Sequence, residues 1–205
     1  VLIVLVIFWM MFNQYNATLT EFAISCTSPE AWGFTRIGFN VWALAVLAVA
    51  LYALFYLYRN KSAKGRLAAG AVLAACAAAL WYIYAAMPNP VTGIQPQEYL
   101  QVNPFFVVIL TPVSIALFGW LAKKKKDPSA PHKIGFGMVM AAMAYGVMLL
   151  GSLSLTGTQG AVSPNWLITT YLLLTLAEIL LAPMSISFVS SIAPPKYKGS
   201  MMGCW

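Results

Sequence analysis

Charge is scarce in this sequence. Only 8% of its 205 residues are Asp, Glu, Lys or Arg, against about 25% in soluble domains, which argues against a water-soluble globule. Acidic residues are scarcer still, five against twelve basic, and there is a single histidine, His132. Without a second histidine or clustered carboxylates, neither a metal centre nor an acid–base catalytic cluster is expected. The three cysteines, Cys26, Cys76 and Cys204, are odd in number, widely spaced and without a CxxC pair, so neither a disulfide framework nor a zinc site is supported. No cofactor is expected. Short alternating runs of the kind that build membrane barrels are missing too, as are strict internal repeats and low-complexity tails.

What remains is apolar. Hydrophobic residues make up 61% of the chain, and they gather into stretches near 1–23, 39–58, 67–87, 104–122, 134–155 and 166–192, each close to the roughly 20 residues that span a bilayer. Backbone groups in hydrocarbon must be satisfied within their own segment, so these stretches predict six helices. The fold class is therefore all-α, a polytopic transmembrane helical bundle, with residues 1–205 as one domain. The chain opens at Val1 inside an apolar run and stops at Trp205 as another helix begins, which reads as a fragment. The first run lacks the basic leading region and cleavage site of a signal peptide.

A net charge of +7 raises nucleic acid as a partner, and the placement of the basic residues decides against it. Arg59, Lys61, Lys64 and Arg66 fall between the second and third runs, Lys123 to Lys126 and Lys133 between the fourth and fifth, and Lys196 and Lys198 after the sixth. Only Arg36 falls in the alternate loops. That pattern makes the basic loops cytoplasmic and sends the first helix outward. Lys123 to Lys126 then read as a cytoplasmic anchor to the lipid bilayer, and His132 as a solvated loop residue. Pro88 to Pro96 and Gly157 to Pro164 carry the turn chemistry of outer loops. The alanines between Leu67 and Leu80 suit close helix packing.

Glu178 stands out because a carboxylate at the centre of a spanning helix costs about 2.5–3.5 kcal/mol and usually faces a cavity or partner. Tyr171, Thr175, Ala182 and Ser185 share its helical face by their spacing. Such a mildly polar face suits a water-filled path and a role in proton coupling or in binding a ligand amine; the alternative is a structural hydrogen bond between helices. In the first helix Trp9, Asn13, Asn16 and Thr20 form a second stripe, with Gln14 alongside, which fits either interhelical hydrogen bonding or a ligand-facing surface. Asn16-Ala17-Thr18 matches a glycosylation triplet but lies within a membrane run. Pro112 frees a backbone carbonyl inside the fourth run and predicts a bend, and Pro183 predicts a hinge after Glu178.

Several strings resemble the C-terminal half of the proton-dependent oligopeptide transporters of the major facilitator superfamily. Phe8-Trp9-Met10-Met11-Phe12-Asn13-Gln14 with Thr18-Leu19 is similar to the family's seventh helix, and Asn103-Pro104-Phe105-Phe106 through Thr111-Pro112 to its eighth. Asp127-Pro128-Ser129-Ala130-Pro131-His132-Lys133 resembles the loop before the ninth. Ala177-Glu178-Ile179-Leu180-Leu181-Ala182-Pro183, continuing to Ala193-Pro194-Pro195-Lys196-Tyr197-Lys198-Gly199 and Met201-Met202-Gly203-Cys204-Trp205, is similar to the tenth helix and the start of the eleventh.

The resemblance implies that Glu178 is the tenth-helix carboxylate that meets the peptide's amino end and couples protons. It further implies that Asn103 contacts peptide from the eighth helix, that Trp205 walls the pocket, and that the helices within 39–87 are an inserted pair. Asn13 stands at the seventh-helix substrate position, where the family usually carries a glutamate, and an amide exchanges no proton at ordinary pH. Ala182 replaces a small polar residue four positions after the glutamate. The implied function is proton-coupled uptake of di- and tripeptides by alternating access, in the bacterial inner membrane. It requires the N-terminal half and the rest of the eleventh and twelfth helices. A major facilitator carrier for another small solute is the second reading, and a polytopic membrane enzyme a third.

Overall fold

The computed structural model describes residues 2–60, 62–124, 128–153, 155 and 161–204. Lys61, Lys125, Lys126, Asp127 and Trp205 therefore lie outside the described residues.

The first apolar run is helical but not uniform. Helix α1 (Leu2–Gln14) passes through a π turn at Tyr15–Leu19 into α2 (Thr20–Cys26). A turn with one extra residue widens the helix and rotates the side chains beyond it about the helix axis. Neither α segment is long enough alone to cross a bilayer. Among the described residues five uninterrupted helices are: α3 (Val41–Arg59), α4 (Ala63–Ala86), the stretch Pro96–Lys123 containing α5 (Val102–Lys123), α6 (Ala130–Leu153) and α7 (Pro164–Ile192). The chain then turns through Pro195–Tyr197 into α8 (Lys198–Cys204).

Local chemistry fixes the ends. The Asn40 side chain caps α3 by accepting from the Ala43 amide at 3.0 Å, and Pro164 opens α7 where no amide donor is needed. Two helices start earlier than hydropathy predicts. Helix α4 begins at Ala63 and α6 at Ala130, so Lys64, Arg66, His132 and Lys133 sit in first turns and not in loops. Apolar content marks the hydrocarbon core, and a helix extends past it into the interface where charged side chains are tolerated. At α6 the Ser129 hydroxyl meets His132 Nδ1 at 2.6 Å. His132 is exposed, while Lys133 is buried, with its Nζ 4.5 Å from the centre of the Phe118 ring.

The core joins α1 and α2 to α6 and α7 through Phe8, Phe12, Ala23, Ala144, Met148, Leu174 and Ala177. Contact between α6 and α7 depends on small residues. A Cβ on Gly137 would lie 3.1 Å from the Ala177 carbonyl oxygen and 3.2 Å from Leu181 Cβ, and Ala141 and Ala144 are fully buried on the same face. In hydrocarbon such close backbone approach replaces the hydrophobic drive that is unavailable there.

The helix ends opposite the basic loops are stitched together. Strand β1 (Glu30–Ala31) pairs antiparallel with β2 (Val91–Thr92). The Ser28 amide donates to the Val162 carbonyl at 2.9 Å, and the Val162 amide to the Cys26 carbonyl at 2.8 Å. Buried Arg36 donates to the carbonyls of Gly33, Met87 and Pro88 at 2.9, 3.0 and 2.9 Å, with its guanidinium 4.4 Å over the Tyr84 ring. A cation at the end of α4 satisfies carbonyls that the helix leaves open and suits its dipole. Gly33, at φ +59°, permits the turn that brings Arg36 there.

Candidate functional site

Glu178 lies fourteen residues from each end of α7, at its midpoint. Asn103 enters from the first turn of α5, which packs across α7, and its side chain lies near the Glu178 carboxyl. The structure thus brings together two residues about 75 positions apart in sequence, through helix crossing. Among the described residues Glu178 Oε2 is buried and accepts no hydrogen bond, whereas the residue as a whole is only partly covered. A carboxyl with an unmatched buried oxygen is suited to a proton or to an ammonium group.

The face around Glu178 differs from the expected open path. Tyr171, Thr175 and Ser185 are fully buried. The Thr175 hydroxyl donates to the Tyr171 carbonyl at 2.8 Å, and the Ser185 hydroxyl to the Ala182 carbonyl at 2.9 Å. These hydroxyls satisfy themselves on their own helix, so the stripe packs as core. Helix α7 continues through Pro183 as one element.

The first-helix stripe is also altered. Asn13 is exposed, donating from Nδ2 to the Trp9 carbonyl at 2.8 Å, and Asn16 is exposed within the π turn. Thr20, beyond that turn, has a buried Oγ1 with no partner among the described residues. The extra residue breaks the four-three-four spacing that put all of them on one face. No contact joins Asn13 to Glu178 among those described. Trp205 lies outside the described residues, so its place relative to this pair is not part of the geometry.

Sequence reasoning missed a cluster of phenols on the outer side of Glu178. Tyr99 and Tyr171 belong to one buried core against which Tyr15 and Tyr145 pack, and the rings of Tyr15 and Tyr171 meet edge to face at 6.0 Å. Tyr145 donates to the Met11 carbonyl at 2.7 Å, whereas the hydroxyls of Tyr99 and Tyr171 are buried without partners among the described residues. The four come from four separate elements, so no periodicity announces them.

A family model described as PTR2, POT family, matches residues 71–205. The chain belongs to the POT family. It is 25% identical over 181 residues to dipeptide and tripeptide permease A of Serratia proteamaculans, covering 80% of this chain and 35% of that protein. Over 210 residues it is 26% identical to dipeptide and tripeptide permease A of Chromobacterium violaceum, covering 94% and 41%. Peptide transporter YePEPT of Yersinia enterocolitica is 30% identical over 178 residues, covering 80% and 35%. The chain therefore spans well under half the length of these curated relatives. As a POT family member with apolar spanning helices, it is part of a multi-pass integral protein of the bacterial inner membrane.

Proposed function

We propose that the protein containing this chain is a secondary transporter that takes up di- and tripeptides together with protons, by alternating access between two helical bundles. The observation that carries the reading is the Glu178 carboxyl at the middle of α7, with its buried Oε2 unmatched among the described residues. Glu178 serves as the proton site and as the counter-charge for the peptide's amino end. Asn103 orients that carboxyl and meets the peptide backbone, and Trp205 forms a pocket wall. Asn13 supplies a neutral polar contact from the first helix. Helices α3 and α4 act as an inserted pair outside the transport bundle. The names of the relatives support the peptide class, and the unmatched Oε2 supports proton binding.

The test is proton-driven dipeptide uptake by the full-length protein in proteoliposomes. Glu178→Gln is expected to lower uptake at least about tenfold, equivalent to about 1.4 kcal/mol, and to abolish its dependence on the proton gradient. Unchanged uptake with unchanged proton dependence would falsify the role of Glu178. A carrier for another small solute is the second reading, favoured by Asn13 where the family's glutamate usually stands. Failure of a dipeptide panel to compete, with uptake of a different solute intact, would select it.

A further inference from the structure

The basic end of the hairpin formed by α3 and α4 carries a pocket separate from the Glu178 site. It has a volume of about 540 Å³ and is lined by Leu54, Leu57, Tyr58, Asn60 and Arg66. The lining is ordered by depth. Asn60 follows the last turn of α3, Tyr58 is 94% exposed, and Leu54 lies six residues back along the helix, about 9 Å deeper at 1.5 Å per residue. Polar groups therefore sit at the mouth and aliphatic ones toward the membrane interior.

The mouth is built with some precision. Asn60 Oδ1 accepts from the Ser62 amide at 3.0 Å, which turns the side-chain nitrogen across the first turn of α4. There Gly65 makes room for it: an added Cβ would collide with Asn60 Nδ2 and lie 3.0 Å from Asn60 Cγ and 3.3 Å from the Tyr56 hydroxyl. Arg66 is the next residue. Around it the charge is one-sided. Arg59, Lys64, Arg66, Lys123 and Lys124 share this end of the bundle, while Glu21, Glu30 and Glu98 belong to the outer half and Glu178 to the middle. No described carboxylate serves this end; Asp127 is outside the described residues.

We propose that this pocket binds the head group of an anionic phospholipid of the inner leaflet, such as phosphatidylglycerol. The phosphate is held between the Arg66 guanidinium and Asn60 Nδ2, the glycerol region rests against Tyr58, and an acyl chain runs inward along Leu57 and Leu54. Basic pockets between membrane helices on the cytoplasmic side suit such head groups, and the aliphatic floor distinguishes a lipid from a free phosphate. An interfacial tyrosine is at home at the level of the ester groups. The site anchors the hairpin to the leaflet and acts independently of transport chemistry.

Native mass spectrometry of the intact purified protein, exposed to phosphatidylglycerol or phosphatidylcholine, tests this directly. Retention of phosphatidylglycerol over phosphatidylcholine is expected. Arg66→Gln should lower it about fivefold, the effect of one basic residue at the surface, and Arg66→Lys should keep most of it. Asn60→Asp, which places a negative charge beside the phosphate, provides an independent variant if Arg66→Gln folds poorly, and is expected to lower retention as well. Lys124→Gln, whose parent Nζ lies 3.8 Å over Trp120, should leave retention unchanged. Equal retention of the two lipids, retention indifferent to Arg66 and Asn60, or displacement of the lipid by inorganic phosphate would each overturn the proposal. So would a pocket that the rest of the chain covers, read as no bound lipid at all. None of these results depends on whether peptides are transported.

Discussion

Two helix pairs in this bundle are joined to the rest of it by different means. In the candidate spans α6 and α7, 33% of the apolar window is buried, against 11% in α3 and α4. The first pair meets through missing side chains, at Gly137, Ala141 and Ala144, so that backbone touches backbone. The hairpin of α3 and α4 reaches its neighbours through a few hydrogen bonds to carbonyl groups. Tyr52 donates to the Val108 carbonyl at 3.1 Å, Arg36 to those of Met87 and Pro88, and Gln101 to that of Gly38 at 3.3 Å. Close packing holds the first pair to each other, whereas backbone acceptors tie the hairpin to its surroundings. The acceptors are not arbitrary: Met87 and Pro88 end a helix, and Val108 precedes Pro112 by four residues, so its usual amide donor is absent.

The largest expected effect comes from attacking the shape-held pair. Gly137→Leu forces atoms into the Ala177 carbonyl and Leu181, at a cost of about 3 kcal/mol or more. The readout is thermal unfolding of the purified protein in detergent. Gly135→Leu, where an added Cβ meets nothing within 4 Å, is the control and should change little; equal effects at the two positions would refute close packing as the cause.

Arg36→Ala comes next. It leaves carbonyls at the end of α4 without their charged donor, for an expected loss of about 2 kcal/mol. Limited proteolysis should show easier cleavage in the outer loops 88–95, while α6 and α7 stay protected. If cleavage is unchanged, Arg36 does not hold the hairpin.

Tyr52→Phe should cost least, about 0.6 kcal/mol as for typical hydrogen bonds between membrane helices. Its value lies in a double-mutant cycle with Pro112→Ala. Alanine restores an amide donor for the Val108 carbonyl, so Tyr52→Phe should then cost nothing measurable. Additive effects would show that Tyr52 does not answer the proline.

The helical spanning segments were legible because hydrocarbon leaves a composition signal. The exact starts of α4 and α6 were not, since Lys64, Arg66 and Lys133 read as loop by hydropathy while their backbones are helical. Pro112 predicted a freed carbonyl, but only the structure identifies Tyr52 as its donor. Glu178 was conspicuous from its cost alone. Its neighbour Asn103 came from family likeness, because a contact between crossing helices has no period in sequence. The same limit misled the reading of Thr175 and Ser185, whose hydroxyls looked available and are satisfied by their own helix. The π turn at Tyr15–Leu19 was invisible too, and with it the separation of Thr20 from Asn13.

The midpoint position of Glu178 also has an electrical meaning. Were Glu178 the proposed proton site, a proton reaching it from either face would cross about half of the membrane's voltage drop, worth roughly 1.1 kcal/mol for each 100 mV. Loading from outside and release to the inside would then divide the work of the membrane potential almost equally, and a voltage dependence confined to one half of the cycle would count against that role.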